Sequence, residues 1–175
     1  MLSAKLLGEL NLQINYELYS AYLYMAMENF FQEKGLAGFA NWLKVQAQEE
    51  LAHARIFYEF IYRKKGSVTL EAIAKPEASF SSALDVFKKA LEHEKFVTSR
   101  IDLLMSIANE EKEFATVSFL TWFVDEQVEE EESFGALVDK LELIGDNGPA
   151  LLVLDAQLAT RTYTVPAPLA AGAAD

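Results

Sequence analysis

The sequence predicts an all-α protein, a four-helix bundle with one long crossover between helices two and three and a short fifth helix at the C-terminal end. Three observations predict it. Apolar residues recur every three or four positions through four stretches of about 30 residues each, the period of a helix with one buried stripe. Only 8 Gly and 4 Pro occur among 175 residues, so the chain has few breakers, and 51% of its residues are hydrophobic, enough for a single core. Each of the four apolar stripes is interrupted by polar residues near its middle.

The first helix is expected from Ser3 to Glu33, with Leu7, Leu10, Ile14, Glu17, Ala21, Tyr24, Glu28 and Phe31 on its seam. Gly35 breaks the pattern. A second helix follows from about Leu36 to Lys65, carrying Phe39, Leu43, Gln46, Glu50, His53, Phe57 and Phe60. Residues 66–81, with Pro76 and several small or polar side chains, form the one long internal connection. A 30-residue helix is about 45 Å long, and some 15 extended residues at about 3.3 Å each just return along it, so helices two and three can run parallel. The third helix, about Ser82 to Asn109, aligns Leu84, Phe87, Leu91, Glu94, Thr98, Ile101 and Met105. The fourth, about Lys112 to Ile144, aligns Thr116, Leu120, Phe123, Gln127, Glu130, Phe134, Leu137, Leu141 and Ile144. Gly145 is a natural stop, and Asp146 or Asn147 with Pro149 a new start. The short fifth helix, to about Thr160, is apolar on most sides through Leu151, Leu152, Val153, Leu154 and Leu158, which calls for burial against other subunits. The expected organisation is one domain over residues 1–162 and a disordered tail over 163–175.

A formal net charge of -12 and a pI near 4.6 exclude a phosphate-binding surface, so neither nucleic acid nor an anionic membrane is an expected partner. Cations are the expected small partners. With no Cys, any metal must be held by carboxylate, amide or imidazole, and only His53 and His93 supply imidazole. Neither an apolar leader core nor a run of about 20 apolar residues occurs, which leads us to expect a cytoplasmic protein.

Glu50 and His53 stand three residues apart and share one helical face. Alone, such a pair usually reads as surface charge. Here the bundle brings Glu17, Glu50, His53, Glu94, Gln127 and Glu130 to one central layer. Burying several carboxylates together is strongly unfavourable without a cation. Glu17, Glu50, Glu94 and Glu130 carry four negative charges, matching two divalent ions. Oxygen-rich ligands with one imidazole suit Fe(II) or Mn(II), and iron is preferred. Glu17, Glu50 and His53 would hold one ion, Glu94 and Glu130 the other, with Glu50 bridging. Gln127 is either a weak neutral ligand or a hydrogen-bonding partner of the ligands.

The chain resembles the bacterial and archaeal non-haem ferritins from about Ser3 to Thr160. The resemblance rests on Asn15-Tyr16-Glu17-Leu18-Tyr19-Ser20-Ala21-Tyr22-Leu23-Tyr24, on Gln48-Glu49-Glu50-Leu51-Ala52-His53-Ala54, and on Trp122-Phe123-Val124-Asp125-Glu126-Gln127-Val128-Glu129-Glu130-Glu131. It implies a ferroxidase centre in which Glu17, Glu50 and His53 bind the first iron and Glu50, Glu94 and Glu130 the second. It also implies a third iron site at Glu49, Glu126, Glu129 and Glu130, with Tyr24 beside the centre. The implied activity is oxidation of Fe(II) by dioxygen or hydrogen peroxide and storage of Fe(III) as an oxyhydroxide mineral in a hollow homo-oligomeric shell, usually of 24 subunits.

Two departures narrow the resemblance. A bacterioferritin would repeat Glu-x-x-His on the fourth helix, where this chain has Gln127 and Glu130, so the second ion is expected to be held more weakly. Leu51 and Ala52 stand where a haem-binding Met is found, and no haem is expected. Simpler readings apply elsewhere. Glu131 and Glu132 belong to a solvated charge run, and Glu49 and Glu126 lie one position off their seams. Tyr24 also makes sense as a core tyrosine. Trp42 and Trp122 read as packing residues, and His93, about 100° from Glu94, is expected to face outward or towards a subunit contact. The competing function is a di-iron redox enzyme of peroxidase or oxygenase type without mineral storage, which would stop at two irons per subunit. A metal-free structural bundle is the third class, and the carboxylate layer argues against it.

Overall fold

The computed structural model describes residues 1–170. Its elements are α1 (Ala4–Glu33), α2 (Ala37–Arg63), α3 (Ala83–Glu110), α4 (Phe114–Ile144), α5 (Gly148–Leu158) and the single turn α6 (Ala167–Ala170). Helix starts follow local chemistry. Ser3, Ser82 and Asn147 each accept a bond from a first-turn backbone N–H, at 3.0, 3.1 and 3.1 Å, and such caps stabilise a helix by about 1 kcal/mol each. Gly35, with φ of +71°, closes α1: the N–H of Leu36 reaches back to Phe31 O at 3.0 Å and turns the chain directly into α2.

Short turns make α1 with α2, and α3 with α4, antiparallel hairpins. The connection between the pairs lies along α1. Asn11 donates to Ser67 O and accepts from Thr69 N at 2.7 Å, Asn15 reaches the carbonyls of Glu71 and Ala72, and Phe80 meets Phe30 edge-on at the far end. α3 therefore starts beside the end of α1 and runs parallel to α2, the crossover anticipated from chain length.

Two apolar clusters fill the bundle. One gathers Met27, Phe31, Phe39, Leu43, Phe87, Phe134 and Leu141 near the α1–α2 turn. The other gathers Leu6, Leu10, Ile14, Phe57, Ile101, Leu104, Leu120 and Phe123 at the opposite end. Between them lies the polar layer: Glu17, Glu50, His53, Glu94, Gln127 and Glu130 are each 5% exposed or less.

α5 docks onto the start of α2. A Cβ on Gly38 would lie 1.7 Å from Asp155 O, so only glycine permits this approach, while Phe39 N–H donates to Asp155 Oδ1 at 2.9 Å. Asn41 Nδ2 donates to Arg161 O at 3.0 Å and ties down the chain after α5. Leu154 and Leu158 are buried in this contact, whereas Leu152 and Val153 remain 61% exposed each. Of the expected tail, α6 lies against α2 with Leu169 packed on the second cluster, and residues 171–175 lie outside the described residues. Among the described residues, no helix is long and apolar enough to cross a membrane.

Candidate metal centre

The 3.6-residue period of α2 stacks Glu50 and His53 on one face, and α1 presents Glu17 opposite them. One ligand atom from each of these three residues lies within 4.8 Å of the others, close enough to hold one metal ion. His53 turns its Nδ1 towards the acids, 3.5 Å from Glu50 Oε2 and 4.0 Å from Glu17 Oε2. Its other nitrogen lies 3.7 Å from Glu126 Oε1 and has no hydrogen bond. Glu17 is divided in role: Oε1 accepts from Gln13 Nε2 at 2.8 Å, while the buried Oε2 has no protein partner. A buried carboxylate oxygen left bare is costly, and a cation between Glu17, Glu50 and His53 removes that cost, so the residues present fit a metal.

The other half of the layer is differently made. Glu94 accepts from the Tyr24 hydroxyl and, at 3.2 Å, from Gln127 Nε2. Glu130 accepts from Gln46 Nε2 at 2.7 Å on both oxygens. Burial is the main cause of the pKa shifts here. It pushes Glu94 up to about 7, and burial together with the charge of Glu94 pushes Glu130 up to about 8. Glu50 is raised well above the carboxylate range by burial and then by Glu94. Burial alone would lower His53, but the acidic neighbours Glu126, Glu50 and Glu17 outweigh it and raise the imidazole well above its usual value. Burial and then the charges of Glu94 and Glu50 raise the Tyr24 hydroxyl well above its usual value.

Of the remaining anticipated residues, Glu126 and Glu49 are partly buried and Glu129 is exposed. Glu126 and Glu129 both act electrostatically on Glu49, whose pKa burial raises and Arg161 opposes. Gln127 serves Glu94 and Thr98 as a donor, at 3.2 and 3.3 Å.

A ferritin-like domain family matches residues 7–144. The chain belongs to the ferritin family. It is 42% identical over 163 residues to a bacterial non-haem ferritin of Staphylococcus saprophyticus, covering 93% of this chain and 98% of that protein, and equally to one from Staphylococcus aureus. Its fold superposes with a TM-score of 0.92 on an open-pore ferritin from the hyperthermophilic archaeon Archaeoglobus fulgidus, at 48% identity, covering 93% of this chain and all of that one. A humanised archaeal ferritin gives a TM-score of 0.93 at 48% identity, covering 94% and 99%.

Within this ferritin chain, three residues near the site escape the seam argument. Gln13 holds Glu17 from one turn earlier on α1 but sits one position off the drawn seam, next to Ile14. Arg161, beyond α5, bonds Glu49 at 2.5 Å and Gln46 at 2.9 Å, and only the docking of α5 places it there. His93, expected to face outward or towards a subunit contact, is half-buried. α3 packs beside α1, so the 100° step from Glu94 turns the ring into that groove, hydrogen-bonded to Ser20 Oγ at 2.7 Å and edge-on to Tyr24, where burial lowers it to about 4.

Proposed function

We infer that this chain is the subunit of an iron-storing ferroxidase, with Glu17, Glu50 and His53 as ligands of the first iron and Glu50, Glu94 and Glu130 as ligands of the second. The observation that carries the reading is the closed group of Glu17, Glu50 and His53, with a bare buried oxygen on Glu17, in the same layer as two further buried carboxylates. Iron is the substrate. Two Fe(II) ions each give one electron to dioxygen, which takes up two protons and leaves as hydrogen peroxide, or to peroxide itself, which is reduced to water. The four carboxylates balance two divalent ions, and oxidation adds two positive charges, so the pair then favours hydroxide or oxide from water and releases protons. Glu49, Glu126 and Glu129 with Glu130 are the next ligands for the ferric product on its way to the mineral. Gln13, Gln46, Gln127 and Tyr24 orient the ligand carboxylates.

The apolar Leu152 and Val153 on α5 are the kind of surface that a homo-oligomeric shell covers, and we propose 24 subunits working in the cytoplasm. The test is aerobic Fe(II) titration with Glu50→Ala alongside, following ferric absorbance and soluble iron kept per subunit. Rapid oxidation with tens or more of irons retained, slowed about a hundred-fold or more in the variant, is expected for loss of a shared ligand. Saturation near two irons would instead identify a di-iron enzyme that stores nothing.

A further inference from the structure

The guanidinium of Arg161 makes four contacts that the ferroxidase reading leaves unused. It donates to Glu49 Oε2 at 2.5 Å, to Gln46 Oε1 at 2.9 Å and to Trp42 O at 3.3 Å, and it lies over the Trp42 ring, 4.2 Å from its centroid. This is a built arrangement. Asp155 and Asn41 clamp the chain on either side of the α5 end, Gly38 lets the backbones close, and the Trp42 face supports the planar cation. By engaging the oxygen of Gln46, Arg161 also leaves the amide NH₂ directed at both oxygens of Glu130. One cation thus touches Glu49 directly and Glu130 through a single side chain.

We propose that Arg161 is a positioning residue that holds Glu49 as an ion pair, excluding Fe(II) from the third iron site and yielding it to Fe(III). The proposal rests on the reading of Glu49 as a ligand of that site. An arriving ion must displace the guanidinium from a partly buried carboxylate. Its attraction to Glu49 scales with its charge, so the guanidinium holds off a divalent ion more effectively than a trivalent one. The effect is a valence filter on the route from the ferroxidase pair to the mineral: iron that has not been oxidised meets an occupied carboxylate. Because α5 carries Arg161 to its place, the filter exists only in a subunit whose fifth helix is docked.

The experiment is anaerobic calorimetric titration of the assembled, metal-free protein with Zn(II), a redox-inert divalent probe, and luminescence titration with Tb(III), a trivalent one. Arg161→Gln is expected to bind a third Zn(II) per subunit about ten-fold more tightly than the parent, Arg161→Lys to stay near the parent, and Arg161→Gln with Glu49→Gln to lose the gain. A third-site affinity in Arg161→Gln within two-fold of the parent, or weaker than it, overturns the proposal. Glu49→Gln alone, which keeps Arg161, decides the matter even if Arg161→Gln does not assemble. It should lower third-site Tb(III) affinity and leave the Zn(II) stoichiometry of the parent unchanged, whereas loss of a Zn(II) site would show that divalent ions already use Glu49. Absence of the two ferroxidase Zn(II) sites in the parent, the first tight and the second weaker, would instead sink the ferroxidase reading, so the two failures are distinct.

Discussion

The two halves of the metal centre are made of the same residue type but prepared differently. On the α1–α2 side, Glu17 Oε2 is bare and faces Glu50 and His53 Nδ1, so the cavity is set for a cation. On the α3–α4 side, Glu94 and Glu130 are already bonded, to Tyr24 and Gln127 and to Gln46. The metal-free protein therefore meets the cost of its buried carboxylates by proton uptake on both sides, but neutral donors cover Glu94 and Glu130 on one, while an oxygen of Glu17 is left for a metal on the other. On the proposed di-iron reading, the difference teaches that the first ion would be received by a preformed site and the second by one it must reorganise. Such asymmetry suits a centre that passes iron on.

The largest expected consequence is in the pH dependence of the metal-free protein. Glu94 and Glu130 rise in the folded state from about 4.5 to about 7 and about 8. The folded protein then holds protons that the unfolded chain has lost. Stability from these groups is fully present below pH 4.5 and is lost as pH rises through 7 to 8, by a few kcal/mol in total on an order-of-magnitude scale. Chemical denaturation between pH 5 and 8.5 should show that decline, with Glu130→Gln flattening it and Zn(II) reversing it, since metal binding requires the carboxylates unprotonated. A stability that instead climbs steadily from pH 5 to 8.5 would mean these carboxylates are compensated without protons.

Next in size is the separation of the two ions. His53→Ala removes a ligand atom from the preformed half and should weaken the first ion by about a hundred-fold or more, leaving no tight site. Glu94→Gln should leave one. Counting tight Zn(II) sites by anaerobic calorimetry checks both, and equal counts in the two variants would break the comparison between the halves.

The seams of α1 to α4 carried most of this into view from sequence, because a helix period converts spacing into a common face, and Glu17, Glu50, His53, Glu94, Gln127 and Glu130 all fall on buried stripes. What spacing cannot convey is which partner a side chain chooses. Gln46 and Gln127 stood on their seams as polar interruptions, yet that they clamp Glu130 and Glu94 depends on distances across the bundle. Arg161 was out of reach for a different reason. Its position depends on a glycine-permitted contact between residues 38 and 155, far apart in sequence. The groove that His93 enters was out of reach too, because the angle from Glu94 alone does not say which element of the chain lies there, and that element is α1.

A smaller effect follows from making the halves alike. Replacing Gln127 by Glu and Glu130 by His in one double variant gives α4 the Glu-x-x-His spacing of α2, and the second ion should then be held about ten-fold more tightly and exchange more slowly. Competition of bound Zn(II) with a chelator reads this directly. If the double variant binds no more firmly than the parent, the weak half is weak because of Tyr24 and the α3 carboxylate rather than because of α4.

The smallest expected effect isolates that Tyr24 contact. Tyr24→Phe keeps the ring, which stacks on Phe134 at 5.5 Å, and removes only the hydroxyl that donates to Glu94. That hydrogen bond favours the ionised form of Glu94 against the larger opposing effect of burial. Without it Glu94 keeps its proton to higher pH, so a metal must displace that proton, and the second ion should bind about three-fold more weakly at pH 7. The midpoint of second-site binding should move to higher pH, and the first site should not change. Tighter second-site binding in Tyr24→Phe would mean that the hydroxyl competes with the metal for Glu94 instead of preparing the carboxylate for it, and the α3–α4 half would then be a closed site that iron has to open.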